Sequence, residues 1–214
     1  MDNEQLGDYI HAHIGAEPEM LRRLYRHTHL TRLYPRMCTD HTQGRILAMF
    51  TSMIRPRRIL ELGTFSGYST LCFAEAMPQG CTIDTVEIDA EHADELRELF
   101  DESPRGADIH LHIGDAREMI DRIMSCGDVP VDMVFVDADK RAYPAYYEAI
   151  MRHLAPGGFI LADNTLWDGK VLDTSSHDAQ TEGIRAFNDM VAADTRVSKA
   201  IIPVRDGLSI IRRL

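Results

Sequence analysis

From position 58 onward, short apolar runs rich in β-branched residues alternate with longer stretches in which apolar residues recur three or four apart. The first pattern predicts strands over 58–62 (RILEL), 82–87 (TIDTVE), 109–113 (IHLHI), 131–137 (VDMVFVD), 158–163 (GFILAD), 198–203 (SKAIIP) and 208–212 (LSIIR). The second predicts helices over 68–77, 91–103, 117–124, 145–153 and 182–193. Strict alternation of the two implies an α/β chain with a doubly wound, mainly parallel, seven-stranded sheet. PVRDG (203–207) is short enough for a hairpin, so one edge strand is expected to run antiparallel to the rest. Before position 58 lie helical patterns near 3–14, 18–29 and 42–54 and no strand pattern. With no repeat or linker to divide the chain, a single domain is expected, with a helical cap over 1–56 and an α/β core over 57–214.

The loop ELGTFSGYST (61–70) joins the first strand to the first helix of the core, where a doubly wound sheet receives its ligand. Its spacing, E-x-G-x-x-x-G, is not the three-glycine fingerprint of a nicotinamide cofactor. Glu61 at the end of that strand would repel a pyrophosphate and attract an ammonium group. The partner carboxylate would fall to backbone N–H groups beside Gly63 and to Ser69 at the helix N-terminus. Glu87, at the tip of the second strand, stands where nucleoside-binding sheets hold a ribose diol. Amino acid plus ribose without phosphate describes S-adenosylmethionine. Asp115, in GDA (114–116), fits either a place near the adenine or a plain helix N-cap.

VFVDADK (134–140) and ADNTLWDGK (162–170) end two neighbouring strands. Strands lie about 4.8 Å apart, so Asp137, Asp163 and Asn164 can turn their oxygens to a common centre. Two carboxylates and an amide suit Mg²⁺, and also Mn²⁺ or Ca²⁺, and no thiolate or imidazole cluster favours zinc. Lys140, one short turn past Asp137, is placed to take a proton from a hydroxyl bound there.

ELGTFSGYST, VEID, VFVDADKRAYPAYYE, LAPGGFILADN and VRDGLSI together resemble the cation-dependent class I O-methyltransferases, the group of catechol and caffeoyl-coenzyme A methyltransferases. The likeness runs from about position 37 to the end. It implies a Rossmann-like fold, S-adenosylmethionine as donor, a divalent cation and a small aromatic acceptor. It implies that Asp137, Asp163 and Asn164 hold the cation, that Lys140 and Asp137 carry the chemistry, and that Met37, Glu61, Gly63, Ser69, Glu87, Asp115 and Asp137 surround the donor. A homodimer is the family's habit. The departures are Ser209 where the vertebrate catechol enzyme has a glutamate, Asp168-Gly169 after Trp167 where many bacterial relatives read G-G, and no glutamate before Gln43. All three bear on the acceptor.

Composition narrows the partners. Thirty-four acidic against 23 basic side chains give a net charge of -11, which disfavours a surface built for nucleic acid or anionic lipid. RRLYRHTHLTRLYPR (22–36) is the one basic stretch with interleaved aromatics, and it keeps a tRNA hydroxyuridine methyltransferase as the alternative. A non-catalytic nucleotide binder is the third class. Neither a signal peptide nor a bilayer-spanning run is present in the 214 residues, so a cytoplasmic protein is expected. The scattered Cys38, Cys72, Cys81 and Cys126 read as small core hydrophobes, and the ten histidines as isolated or surface groups. Trp167 fits an acceptor wall or a dimer contact equally.

Overall fold

The computed structural model describes residues 3–214. Strands β1 (Arg58–Leu62), β2 (Thr82–Glu87), β3 (Ile109–Ile113), β4 (Met133–Val136), β5 (Phe159–Ala162), β6 (Val197–Ile202) and β7 (Leu208–Arg213) form one sheet in the order β3-β2-β1-β4-β5-β7-β6. β1 to β5 run parallel. β7 pairs antiparallel with both β5 and β6. The antiparallel strand expected at the edge is therefore β7, but it sits one place inside the sheet and β6 is outermost. The hairpin explains this: the crossover after β5 leaves a gap one strand wide, and the tight turn at 203–207 folds β7 back into it.

Strand parity decides what each face buries. Ile59, Met133, Phe135 and Leu161 face a layer built from α2 (Glu19–Thr31), α3 (His41–Ile54), α4 (Tyr68–Ala76) and α5 (Ala93–Asp101). Leu60, Leu62, Val134, Val136 and Ile160 face α6 (Ala116–Met124), α7 (Tyr143–His153) and α8 (Ala179–Ala193). Burial on both faces is what makes the central strands read as unbroken apolar runs. The remaining helix, α1 (Asn3–His13), packs on α3.

Boundaries moved for local reasons. α7 starts at Tyr143, two residues earlier than the pattern predicts, because Pro144 falls in the first turn, where its missing N–H costs nothing. α8 starts at Ala179 behind Asp178, whose side chain accepts from Thr181 N at 3.0 Å. The expected 91–103 helix is split into a short 3-10 turn (Ala90–His92) and α5. Cys38, Cys72 and Cys81 are buried, but Cys126 is exposed. His112 is not a free surface group, since its Nε2 lies 2.7 Å from Asp84 Oδ1 while Arg58 Nε donates to the other oxygen at 2.7 Å.

Strand order reverses at β1 between β2 and β4, which opens the crevice at the carboxyl edge. Gly63, one step past β1, closes on that crevice. A Cβ there would stand 2.0 Å from the Asp137 carbonyl oxygen, and its φ of 99° lies in the left-handed region. Only glycine lets the β1 loop and the tip of β4 approach so closely.

Candidate active site

A cavity of about 650 Å³ opens along the carboxyl edge, within the usual size of a small-molecule site. One end is bordered by Gly63, Glu87 and Asp115, the other by Asn164 and Trp167, with Asp137, Lys140 and Asp163 between.

At the first end, the loop after β1 is tied down by an acid. Glu87 Oε2 accepts from Phe65 N at 2.7 Å and Oε1 from Asp89 N at 2.9 Å, while Gly63 N donates to Val86 O at 3.0 Å. Glu87 is thus held by two backbone donors and still faces the cavity. Asp115 proves to be the N-cap of α6, accepting from Arg117 N at 2.8 Å, and it borders the cavity as well. The Arg117 side chain beside it holds its carboxyl below the usual range. Met37 is exposed and lines both this cavity and a narrow adjoining cleft, where Ser69, Ser66 and Tyr68 also lie.

Glu61 is placed differently from the strand-tip position read in the sequence. It lies one residue inside β1, shares a face with Ile59, and so points at α4 rather than along the edge. Fully buried, it borders neither the cavity nor the cleft. Three hydroxyls donate to it: Ser69 Oγ at 2.6 Å, Thr70 Oγ1 at 2.5 Å and Thr85 Oγ1 at 2.6 Å. Burial outweighs these bonds and pushes its pKa up to about 7. Ser69 is accordingly engaged with Glu61 rather than free at the helix terminus.

At the middle of the edge, β4 and β5 are in register at Val136 and Ala162, so Asp137 and Asp163 leave adjacent tips side by side. Asp163 is buried and accepts from Asn164 N at 2.9 Å. Burial, then the charge of Asp137, holds it well above the usual carboxylate range. The fully buried Gln43 amide lowers it in turn, although Gln43 Nε2 completes no hydrogen bond in good geometry among the described residues. Asn164 has a φ of 57°, a left-handed turn that Asn tolerates better than most residues, and lines the cavity. Lys140 Nζ donates to Asp137 Oδ1 at 2.6 Å and to Tyr143 Oη at 2.9 Å. Tyr143 is fully buried, its hydroxyl 3.0 Å from both Val136 O and Asp163 O. It braces the ammonium against the backbone of both tips.

The donor set fits a hard divalent ion. A half-buried carboxylate, Asp137, and a buried one, Asp163, leave adjacent strand tips on one cavity wall, with an amide oxygen beside them and a single ammonium to offset their charge. No trio of His, Cys, Asp and Glu gathers among the described residues, so a cation here would rest on Asp137, Asp163, the Asn164 amide and water.

Several residues at the site are absent from the sequence reading or placed differently from it. Arg205 (φ 46°) lines the cavity and donates to Gln43 Oε1 at 2.8 Å and Cys38 O at 3.1 Å, joining the β6–β7 turn to the segment before α3. Tyr143 and Tyr146 lie inside the VFVDADKRAYPAYYE stretch, where the sequence gives them no role of their own. Ser209 is buried and donates to Thr165 Oγ1 at 2.8 Å, so it underpins the edge instead of meeting an acceptor. Trp167 lines the cavity and packs on the core of the α6–α8 side.

Comparison with known proteins agrees with this geometry. A sequence profile described as O-methyltransferase matches residues 11–214. A catechol O-methyltransferase of Niastella koreensis is 35% identical over 168 residues, covering 78% of this chain and 76% of its own. A caffeoyl-CoA O-methyltransferase of Stellaria longipes is 30% identical over 225 residues, covering 100% of this chain and 92% of its own. An O-methyltransferase of Bacillus cereus, solved in complex with SAH, superposes with a TM-score of 0.90 at 28% identity, over 98% of this chain and 97% of that one. One from Streptomyces achromogenes involved in tomaymycin synthesis, solved with SAM, gives 0.90 at 27% identity, over 100% and 99%.

Proposed function

Because the chain belongs to the S-adenosylmethionine-dependent O-methyltransferase family, we propose that it methylates a hydroxyl of a small aromatic acceptor of catechol or hydroxycinnamoyl type, with a divalent cation, Mg²⁺ before Mn²⁺ or Ca²⁺. The observation that carries this reading is that Asp137, Lys140 and Asp163 line the middle of a cavity that has Glu87 and Asp115 at one end and Asn164 and Trp167 at the other. The names of the relatives, catechol and caffeoyl-CoA O-methyltransferases, point to the same acceptor class.

Asp137, Asp163 and Asn164 would hold the cation, which when bound lowers the pKa of an acceptor hydroxyl. Glu87 and Asp115 offer acceptors to the ribose and adenine of the donor. Glu61, enclosed behind the loop, would favour the donor's ammonium through the field of its negative form and not by contact. Lys140 removes the acceptor proton. Asp137 and Tyr143 accept from its Nζ and hold the side chain at the cavity wall, where the acceptor hydroxyl would stand. The acceptor oxygen then forms its bond to the methyl carbon as the carbon–sulfur bond breaks in line, releasing the thioether. An anion and a sulfonium both become neutral, so a water-poor cavity helps the transition state.

A homodimer and a cytoplasmic location complete the proposal. Leu30 at the end of α2, Leu33 and Tyr34 just after it, and Met49 and Met53 on α3 give exposed apolar surface in the N-terminal region for a second copy. No helix among the described residues is long and apolar enough to cross a membrane. The tRNA alternative finds no support: in the basic 22–36 stretch, Arg22, Arg23 and Arg32 are spent on Glu19, Glu102 and Glu95. The test is catechol methylation with labelled donor after dialysis against a chelator. Activity should vanish and return with Mg²⁺, whereas activity indifferent to the chelator would refute the role given to Asp137, Asp163 and Asn164.

A further inference from the structure

The segment that carries Trp167 is held by its backbone. It leaves β5, turns through left-handed φ at Trp167 (49°), Asp168 (51°) and Gly169 (73°), and reaches Asp178, the cap of α8. Short turns are its main internal bonds, such as Gly169 N to Leu166 O at 3.0 Å and Asp173 N to Lys170 O at 3.1 Å. Asp206 holds the near end, accepting from Asp168 N at 2.5 Å through Oδ1 and from Leu166 N at 2.8 Å through its carbonyl oxygen, and one side chain gathers the far end. Arg185, in the second turn of α8, donates through Nη1 to Ser176 O at 2.7 Å, through Nη2 to Lys170 O at 2.7 Å and to Asp173 O, and through Nε to Val171 O at 3.2 Å. Glu182 Oε1 accepts from the same guanidinium at 2.8 Å and fixes its orientation. Three residues further along the same helix face, Asn188 Nδ2 donates to Thr165 O at 2.8 Å. Arg185 itself does not line the cavity.

We infer that Arg185 is a positioning residue for the acceptor: by gathering four carbonyl oxygens of the 170–176 segment it sets the place of Trp167 and hence the fit of the aromatic ring. The inference rests on the reading that the Trp167 end of the cavity receives the acceptor. The planar fork suits this task, since its donors radiate to carbonyls spread over seven residues. A lysine ammonium is a single point with three donors and cannot replace it. Because the grip is on carbonyls, it is indifferent to the side chains of the segment. Trp167, Asp168 and Lys170 are then free to differ between relatives and to select the acceptor without loosening the wall.

Trp167 is the chain's one tryptophan, so its fluorescence reports on this segment alone. Full-length Arg185→Ala and Arg185→Lys enzymes are compared with wild type by acrylamide quenching, by calorimetry with S-adenosylhomocysteine, and by kinetics with catechol as the probe acceptor. The expected result is quenching raised by about threefold or more and a catechol KM raised by about tenfold, with kcat within about threefold and S-adenosylhomocysteine affinity within about twofold of wild type. Lysine should restore less than half of either loss. Unchanged quenching and KM, full rescue by lysine, or a loss of donor affinity in step with KM would each overturn the inference. If Arg185→Ala fails to fold, Arg185→Lys is held to the same criteria. A Trp167→Ala enzyme separates the two readings. A wild-type catechol KM in that enzyme puts the acceptor wall elsewhere and removes both, whereas a raised KM there with none in the Arg185 variants removes only the role of Arg185.

Discussion

Replacing Glu61 by glutamine tests the buried acid directly. In the ligand-free protein Glu61 is fully enclosed, faces three hydroxyls and no cation, and is raised from the ordinary 4.5 to about 7. The native state therefore binds more protons than the unfolded chain between these values. The group's contribution is most favourable below about pH 4.5 and is lost as pH rises through about 7. At about 1.36 kcal/mol per pH unit, the loss across that window is about 3 kcal/mol at most. Glutamine keeps one acceptor oxygen and adds two donors, which Ser69, Thr70 and Thr85 can meet by turning their hydroxyls, at a cost of about 1 kcal/mol. Urea denaturation of both proteins at pH 5, 6, 7 and 8 gives the difference in stability, from which all other titrating groups cancel. Glu61→Gln should be the less stable of the two at pH 5 and the more stable at pH 8. A difference that does not change with pH would refute the picture of a charge enclosed without a counter-ion. The same pair of proteins tests the link to the donor. Affinity for S-adenosylhomocysteine should rise through about pH 7 in the wild type, as Glu61 ionises, and lose that rise in the variant.

Two other substitutions probe the edge. Lys140→Met should lower kcat about 10²- to 10⁴-fold while leaving S-adenosylhomocysteine affinity within about twofold, and a variant that binds donor yet keeps full activity would remove the base from the scheme. Gly63→Ala should destabilise by more than about 3 kcal/mol, since the added carbon meets a backbone oxygen rather than a flexible side chain, and so lower Tm by about 10 °C. An alanine variant with wild-type Tm would show that the loop and the tip of β4 are not locked together as described.

Much of this could be read in the chain because the central strands are buried on both faces. Parity then adds what the runs alone do not. Ile59 and Glu61 share a face, and that face meets α4, so the side chain of Glu61 had to point at helix hydroxyls. The tip reading of the sequence missed this because Ser69, Thr70 and Thr85 are scattered over two elements and become a cage only once β1, β2 and α4 are packed. The placement of Asp137 and Asp163 was legible for the opposite reason: each immediately follows a strand, Asn164 comes next, and parallel neighbours in register bring successive tips together. Arg185 was not legible at all. Its partners are carbonyl oxygens, which every residue carries, and a grip on them leaves no pattern in the sequence. The place of β7 was half legible, since a hairpin fixes which strands are neighbours but not on which side of the pair the rest of the sheet lies.

The acids along the edge are not equivalent in how they are held, and that difference bears on how the site works. Glu87, Asp115, Asp139 and Asp163 each accept from a backbone N–H one or two residues ahead, at distances from 2.8 to 3.2 Å. These bonds are local, form with the turn itself, and orient the carboxylates before any ligand arrives, so little ordering is left to oppose binding. Asp137 is different. Its carboxylate is held by Lys140 Nζ at 2.6 Å, a long side chain rather than the backbone. Of these five acids it is the one that can be re-aimed without undoing a turn. Four acids thus form a fixed frame, and the fifth is held through the side chain of Lys140, the base of the proposed scheme.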